Sequence, residues 1–396
     1  MFTAYIVFVS FVDTMAQLPI LSPFTVGLGA SAVLTGVILG SYSLVNMVGN
    51  LLVGPWLDDY GRRVGIIIGL VVAGVAVGLY AVAAGPRQLL LARILHGAGG
   101  AVLIPAVFAY AGDRSRPGAV GRSMGRVGAA IAVAATVGPA LGGVGAARFG
   151  PRAVFVFLAV LLCATALVFL LTHGSGTARP GRLHANGLAV HERTGAGAYL
   201  LRIGAALRDP RLAGTYASTF GLNFSMGTLA YALPLQVQAL GYGSSSTGAF
   251  FGIFSLCAFL LFVLPSNRWG DRFGFARIGS YGAAGIMLAL TLLTFVASPL
   301  LIAFTMVAYG LGFGLMFPSV CSSVVVFGGP DGRGAAFGAF SAVYSLGISL
   351  GPVSAGILSG AGLPPYLGAL VVLPLTQLLH HKLLQTATCS PQGESS

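Results

Sequence analysis

Twelve apolar runs, each near the length that crosses a bilayer, succeed one another along the chain: 3–25, 33–57, 64–84, 88–112, 123–146, 153–172, 213–239, 246–265, 278–297, 300–327, 335–360 and 365–383. About 20 residues of helix span a hydrocarbon core ~30 Å thick, so the pattern predicts an all-α integral membrane protein with twelve transmembrane helices. Charged residues make up 8% of the 396 positions and hydrophobic ones 56%, whereas a soluble domain carries about 25% charged residues. So few charges cannot clothe a solvated surface. The first run does not read as a cleaved leader: no basic segment precedes it, it is too long, and Asp13 interrupts its centre.

The net charge of +12 invites a nucleic-acid reading, but its distribution argues against one. All of the 21 Lys+Arg except Lys382 are Arg, and most fall in short segments between apolar runs. With the N-terminus inside, seventeen lie on the cytoplasmic side, against Arg87, Arg148 and Arg152 outside and Arg93 within the membrane. Cytoplasmic loops retain Lys and Arg, so both termini are expected in the cytoplasm and the chain in the plasma (inner) membrane. The polar stretch 173–212 then reads as a cytoplasmic linker between six-helix bundles at 1–172 and 213–384, with 385–396 a polar tail. The linker ends at Tyr199–Arg208, whose apolar and basic faces suit a short helix lying on anionic lipid.

Segments recur across that linker. Asp58-Asp59-Tyr60-Gly61 matches Asp271-Arg272-Phe273-Gly274 at an offset of 213. Gly97-Ala98-Gly99 with Pro105 matches Gly310-Leu311-Gly312 with Pro318, and Gly138-Pro139 matches Gly351-Pro352, at the same offset. Thr35-Gly36 matches Thr247-Gly248 at 212. An even number of spans separates the copies, so they are parallel six-helix repeats. Spans three, six, nine and twelve are apolar nearly all round and suit a lipid-facing rim, whereas Asp13, Gln17, Asn46, Arg93, Asn223, Tyr231, Tyr309 and Tyr344 mark spans expected to line a central cavity.

Other chemistries find no support. Cys163, Cys257 and Cys321 sit in apolar runs, Cys389 in the tail, and none has metal-ligand spacing. A phosphate-binding loop needs its Lys, and Lys382 is in the wrong place. Gly347-Ile348-Ser349-Leu350-Gly351 fits G-x-S-x-G without the strand-turn-helix context of a hydrolase, and His191-Glu192 lacks the second His of a zinc helix. No enzyme activity, metal or cofactor is expected.

Gly54-Pro55-Trp56-Leu57-Asp58-Asp59-Tyr60-Gly61-Arg62-Arg63 joins spans two and three. Here the chain resembles the major facilitator superfamily, whose loop reads G-x-x-x-D-[RK]-x-G-R-[RK]; Asp59 stands where a basic residue is usual. The resemblance implies a cytoplasmic gate of Gly54, Asp58, Gly61, Arg62 and Arg63, with Asp58 and Arg62 bridging to helix ends in the outward-facing state and Asp271 as the repeat counterpart. Asp113 and Arg122 match the family's D…R pattern after span four, with Asp113 a partner for Arg62 or Arg63. Arg93-Ile94-Leu95-His96-Gly97-Ala98-Gly99 resembles the fourth-helix R-x-x-Q-G-x-G, with His96 replacing Gln. Gly138-Pro139-Ala140-Leu141-Gly142-Gly143 resembles the fifth-helix G-P-x-x-G-G of antiporters. Together they point to the twelve-helix drug–proton antiporter group.

Asp13 is the carboxylate expected inside a span, where an unpaired charge costs at least ~2.5 kcal/mol. Rising ~1.5 Å per residue, Asp13 lies about 15 Å above the inner edge, His96 about 18 Å and Arg93 about 22 Å. Side chains lean toward a helix's N-terminus, carrying Arg93 outward. His96 is therefore the expected partner, with Asp13, His96 and Arg93 forming the proton-coupling set. The expected function is proton-coupled efflux of an amphipathic small molecule by alternating access, with a monomer, its substrate, protons and lipid as the participants. A uniporter or symporter of a sugar or polar metabolite, and a non-transporting membrane receptor or scaffold, stand as alternatives.

Overall fold

The computed structural model describes residues 2–113, 120–172, 196–264 and 267–389. These residues form helices and no strand. The first repeat contains α1 (Phe2–Gln17), α2 (Leu21–Gly27), α3 (Ala32–Tyr60), α4 (Arg62–Val82), α5 (Pro86–Asp113), α6 (Val120–Phe149) and α7 (Pro151–Thr172). A short helix, α8 (Ala196–Arg208), precedes α9 (Pro210–Ala239), α10 (Ser244–Val263), α11 (Asn267–Phe273), α12 (Phe275–Phe295), α13 (Pro299–Gly360) and α14 (Leu367–Cys389). Of the linker 173–212 and tail 385–396, residues 173–195 and 390–396 lie outside the description.

Ten helical segments are long and apolar enough to cross a membrane. The expected first span is not one straight helix. It breaks after Gln17 and resumes at Leu21, bent by 50°, because Pro19 has no N–H to donate and its ring collides with the preceding turn. That pair makes an eleventh span. The twelfth is α9, thirty residues long but too polar to be recognised by hydropathy. Its polar groups bond back along the helix, Thr219 to the carbonyl of Thr215 and Asn223 to that of Thr219. The helix can therefore stay inside the protein without an unmet donor.

Spans ten and eleven are the two arms of α13, Pro299–Gly329 and Gly334–Gly360. Gly329, with φ 60° and ψ 178°, turns the chain between them. Glycine tolerates that φ, and the proline after it enforces the extended ψ. The loop glycines Gly61 and Gly274 have the same φ of 88°, so the repeat extends to backbone conformation.

The two halves meet along two seams related by the repeat. A Cβ at Gly36 of α3 would collide with the carbonyl of Pro352 on α13, and one at Gly248 of α10 with the carbonyl of Pro139 on α6. Gly356 stands likewise on the carbonyl of Ala32, and Gly143 on that of Ser244. Each contact maps onto its counterpart by the offsets of 212 and 213 found in the sequence. Small residues let helix backbones touch. All four contacts lie at the end of the bundle away from the termini. Toward the termini, α3 and α5 of the first half wall an open groove of about 660 Å³, lined by Leu44, Val48, Leu52 and Trp56 of α3 and by Ala98 and Val102 of α5.

Candidate functional site

Asp13 lies 2% exposed on α1 with Gln17 one turn on. At this spacing the two side chains share a face, and Gln17 Nε2 donates to Asp13 Oδ1 at 2.9 Å. His96 of α5 brings Nε2 to 2.8 Å from Asp13 Oδ2. Tyr80 of α4 closes on the other ring nitrogen, its hydroxyl 2.9 Å from His96 Nδ1. Arg93, one turn before His96, donates through one terminal nitrogen to Gln17 Oε1 at 3.2 Å and to the Tyr80 oxygen at 3.5 Å. Its remaining donors go to the carbonyls of Ile38 and Leu39 on α3. Helical carbonyls have a second lone pair to offer.

These contacts form a ring. One arm runs from Arg93 through Tyr80 and His96 to one oxygen of Asp13, and the other from Arg93 through Gln17 to the second oxygen. All five side chains are buried; His96 is 1% and Arg93 7% exposed. One assignment of hydrogens satisfies every group: the Tyr80 O–H donates to Nδ1, the neutral imidazole carries its proton on Nε2, and that proton points at Asp13. Arg93 and Asp13 then balance, and the buried site is neutral. A further proton disturbs this order. A proton on Nδ1 would displace the Tyr80 hydroxyl hydrogen, and one on Oδ1 would face the Gln17 amide.

The depth expectation and the geometry agree on His96 as the group touching Asp13, with Arg93 set back behind Gln17 and Tyr80. Span three exposes Ile68, Val75 and Leu79 as a rim helix would, but its other face enters the site. Tyr80 of α4 is fully buried in the ring, because a lone hydroxyl barely alters an apolar helix's composition yet suffices to fix an imidazole. Tyr42 of α3 was also missed: its face covers the Arg93 guanidinium at 5.0 Å and its ring meets His96 edge-on at 4.7 Å.

Among the described residues the second half carries no such ring. At the 213 offset from Asp13, Tyr80, Arg93 and His96 stand Met226, Leu293, Met306 and Tyr309. Tyr309 pairs with Ser225 of α9 at 3.0 Å.

The expected cavity wall is also corrected. Asp13, Gln17, Asn223, Tyr231 and Tyr309 are no more than 2% exposed. Asn223 bonds within α9, and Tyr231 reaches across to the carbonyl of Ala32. A polar side chain in a span can find its partner on a neighbouring helix as readily as in water, and composition does not separate the two. Asn46 and Tyr344 are half-buried, and Asn46 accepts from Asn50.

Toward the termini, Arg62 lies 3.5 Å from Asp113 and also donates to the carbonyl of Leu57 at 2.8 Å. Arg63 reaches the carbonyl of Leu170 on α7. The side-chain placements of Gly54, Asp58, Arg122 and Asp271 lie outside the described residues. In the α6 motif, Gly138 and Gly142 seat α1 at Met15 and Ala16, between Asp13 and Gln17, while Pro139 and Gly143 form the seam with α10. Among the described residues no group of His, Cys, Asp and Glu is placed to hold a metal.

A twelve-span bundle of two parallel repeats, its halves joined along paired glycine seams, is the architecture of a membrane transporter. The chain belongs to the Major Facilitator Superfamily, whose family model matches residues 3–352. It is a multi-pass membrane protein that carries small molecules and is not an enzyme. It is 25% identical over 355 residues to multidrug resistance protein 1 of Bacillus subtilis, covering 89% of this chain and 87% of that one. To the multi-drug resistance efflux pump PmrA homolog of Lactococcus lactis it is 24% identical over 351 residues, covering 87% and 84%. In fold it is similar to the crystal structure of a bacterial homolog of the human lysosomal transporter Spinster, inward-facing and unoccupied, with a TM-score of 0.74, 16% identity and coverage of 98% and 91%.

Proposed function

We propose that the protein exports an amphipathic small molecule in exchange for protons, with Asp13 and His96 as the carrier pair. The observation behind this reading is the 2.8 Å contact between a buried carboxylate and a buried imidazole. Histidine gains and loses its proton near neutral pH. The partner of the carboxylate is itself a proton-carrying imidazole, which suits a proton better than a sodium ion. The apolar groove wall suits the apolar part of a substrate, and the names of the relatives from Bacillus and Lactococcus support efflux.

In this reading the termini are cytoplasmic, the membrane is the plasma membrane, and the monomer is the working unit. The end that carries the seams then faces outward and the groove opens to the cytoplasm. The bundles 1–172 and 213–384 rock about the two seams, with the loop around Asp58, Arg62 and Asp113 as the inner gate. Dye export from proteoliposomes under an imposed pH gradient tests it. Export should follow the gradient and vanish in Asp13→Asn, and export that ignores the gradient would sink the proposal.

A further inference from the structure

Along α3 and α5 the groove begins within one helical turn of the ring, and Tyr42, which touches Arg93 and His96, stands one turn before groove-lining Val45. On α3, Val45 and Gly49 line the groove, three and seven residues beyond Tyr42 and so on its face of the helix. On α5, Ala98 and Ala101 line it, just past His96. Gly97 packs against the backbone of Tyr42 and the side chain of Val45, so α3 and α5 are pressed together where the groove ends.

Tyr42 differs in exposure from the ring it touches. Asp13, Gln17, Tyr80, Arg93 and His96 are all buried, whereas Tyr42 is half-buried. Its aromatic face covers the guanidinium, its ring meets the imidazole, and its hydroxyl lies beside Gly100 near the Asn46 amide. Among the described residues, the ionisable groups around His96 are Asp13 from α1, Tyr42 from α3, Tyr80 from α4 and Arg93 from α5.

We infer that Tyr42 is the partition between the proton site and the substrate groove, and that protons reach Asp13 and His96 from the groove only when its ring swings aside. The inference rests on the proposed proton exchange and adds to it that substrate and proton occupy separate sites. The step is a plain transfer: a hydronium in the groove leaves its proton on the imidazole–carboxylate pair and departs as water. Deleting the ring would leave a space walled by Arg93, His96 and Asn46. A space that is both roomy and polar fills with water.

The test is a substrate-free proton leak in proteoliposomes carrying an internal pH dye. Tyr42→Ala should dissipate an imposed gradient several-fold faster than wild type, and Tyr42→Phe, which keeps the ring, should hold it. Adding Asp13→Asn to Tyr42→Ala should stop the leak. A tight Tyr42→Ala protein, or a leak that survives Asp13→Asn, overturns the inference. Should the alanine protein lose helix content, Tyr42→Val is judged by the same criteria. Because the leak is read without substrate, it is separate from the export assay. Wild-type export that ignores a protonophore defeats the proton-exchange reading, while a leak-free small variant defeats the partition.

Discussion

Tyr309 holds in the second repeat the position that His96 holds in the first, 213 residues on. Each faces the first long helix of its own half, His96 meeting Asp13 at 2.8 Å and Tyr309 meeting Ser225 at 3.0 Å. One pair joins an imidazole to a carboxylate, the other two hydroxyls. The fold is therefore nearly two-fold symmetric while the charge chemistry sits in one half. A buried charge in hydrocarbon is costly, and a second ring would double that cost.

If His96 shares its proton with Asp13, His96→Gln should retain a hydrogen bond to the carboxylate but lose the titrating group. The pH profile of export should shift, with expression and helix content near wild type. An unchanged profile would reduce His96 to a packing residue.

The energy source gives a second expectation. No ATP-binding motif is present in the sequence, so a protonophore should abolish uphill export. Export sustained by ATP with no ion gradient would contradict the proposed mechanism.

The seams can be tested with a pair of glycines one turn apart. A Cβ at Gly248 would meet the carbonyl of Pro139, whereas one at Gly252 has nothing within 4 Å. Helix propensity favours Ala over Gly by about 1 kcal/mol, so Gly252→Ala should be neutral or slightly stabilising. Gly248→Ala should push α10 from α6, disfavour the conformer closed at that end and slow export. Equal export rates in the two variants would mean that the α6–α10 contact does not limit the cycle.

At the opposite end, Asp58→Asn should impair export while expression and helix content stay near normal, and wild-type rates would remove Asp58 from the gate. Asp113→Asn is expected to change stability little. The Arg62–Asp113 pair is partly exposed, 26% and 48%, and such pairs contribute ~0–1 kcal/mol. Thermal unfolding in detergent reads this directly.

Much of this architecture is legible in one sequence, because the physics of a bilayer is restrictive. Run length gives the spans, Arg placement the expected orientation, and the 213 offset the repeat that reappears in the paired seam contacts. Depth along two helices was enough to choose His96 over Arg93 as the neighbour of Asp13. What stayed hidden depends on rotation about helix axes. Tyr80 and Tyr42 lie on faces that hydropathy does not resolve, and Gln17, Asn223, Tyr231 and Tyr309 were expected on the cavity wall when they bond between or within helices. The bend at Pro19 was hidden for another reason: a proline in a span can kink it gently or break it, and neighbouring packing decides which.

Tyr80→Phe tests the ring's internal logic. The Tyr80 hydroxyl is the group 2.9 Å from His96 Nδ1 and also receives a hydrogen bond from Arg93. Removing it leaves a buried imidazole nitrogen and one guanidinium N–H without that partner, and an unsatisfied buried polar group costs about 1–3 kcal/mol. The variant should therefore unfold at a lower temperature than wild type. A purely structural tyrosine would predict that and nothing more. If the hydroxyl also holds the imidazole proton on Nε2, its loss frees the ring to carry that proton on Nδ1, turning a lone pair toward Asp13. The pH profile of export should then move, in a protein that still folds and still contains both Asp13 and His96. A lowered unfolding temperature with an unmoved pH profile would assign Tyr80 to packing alone.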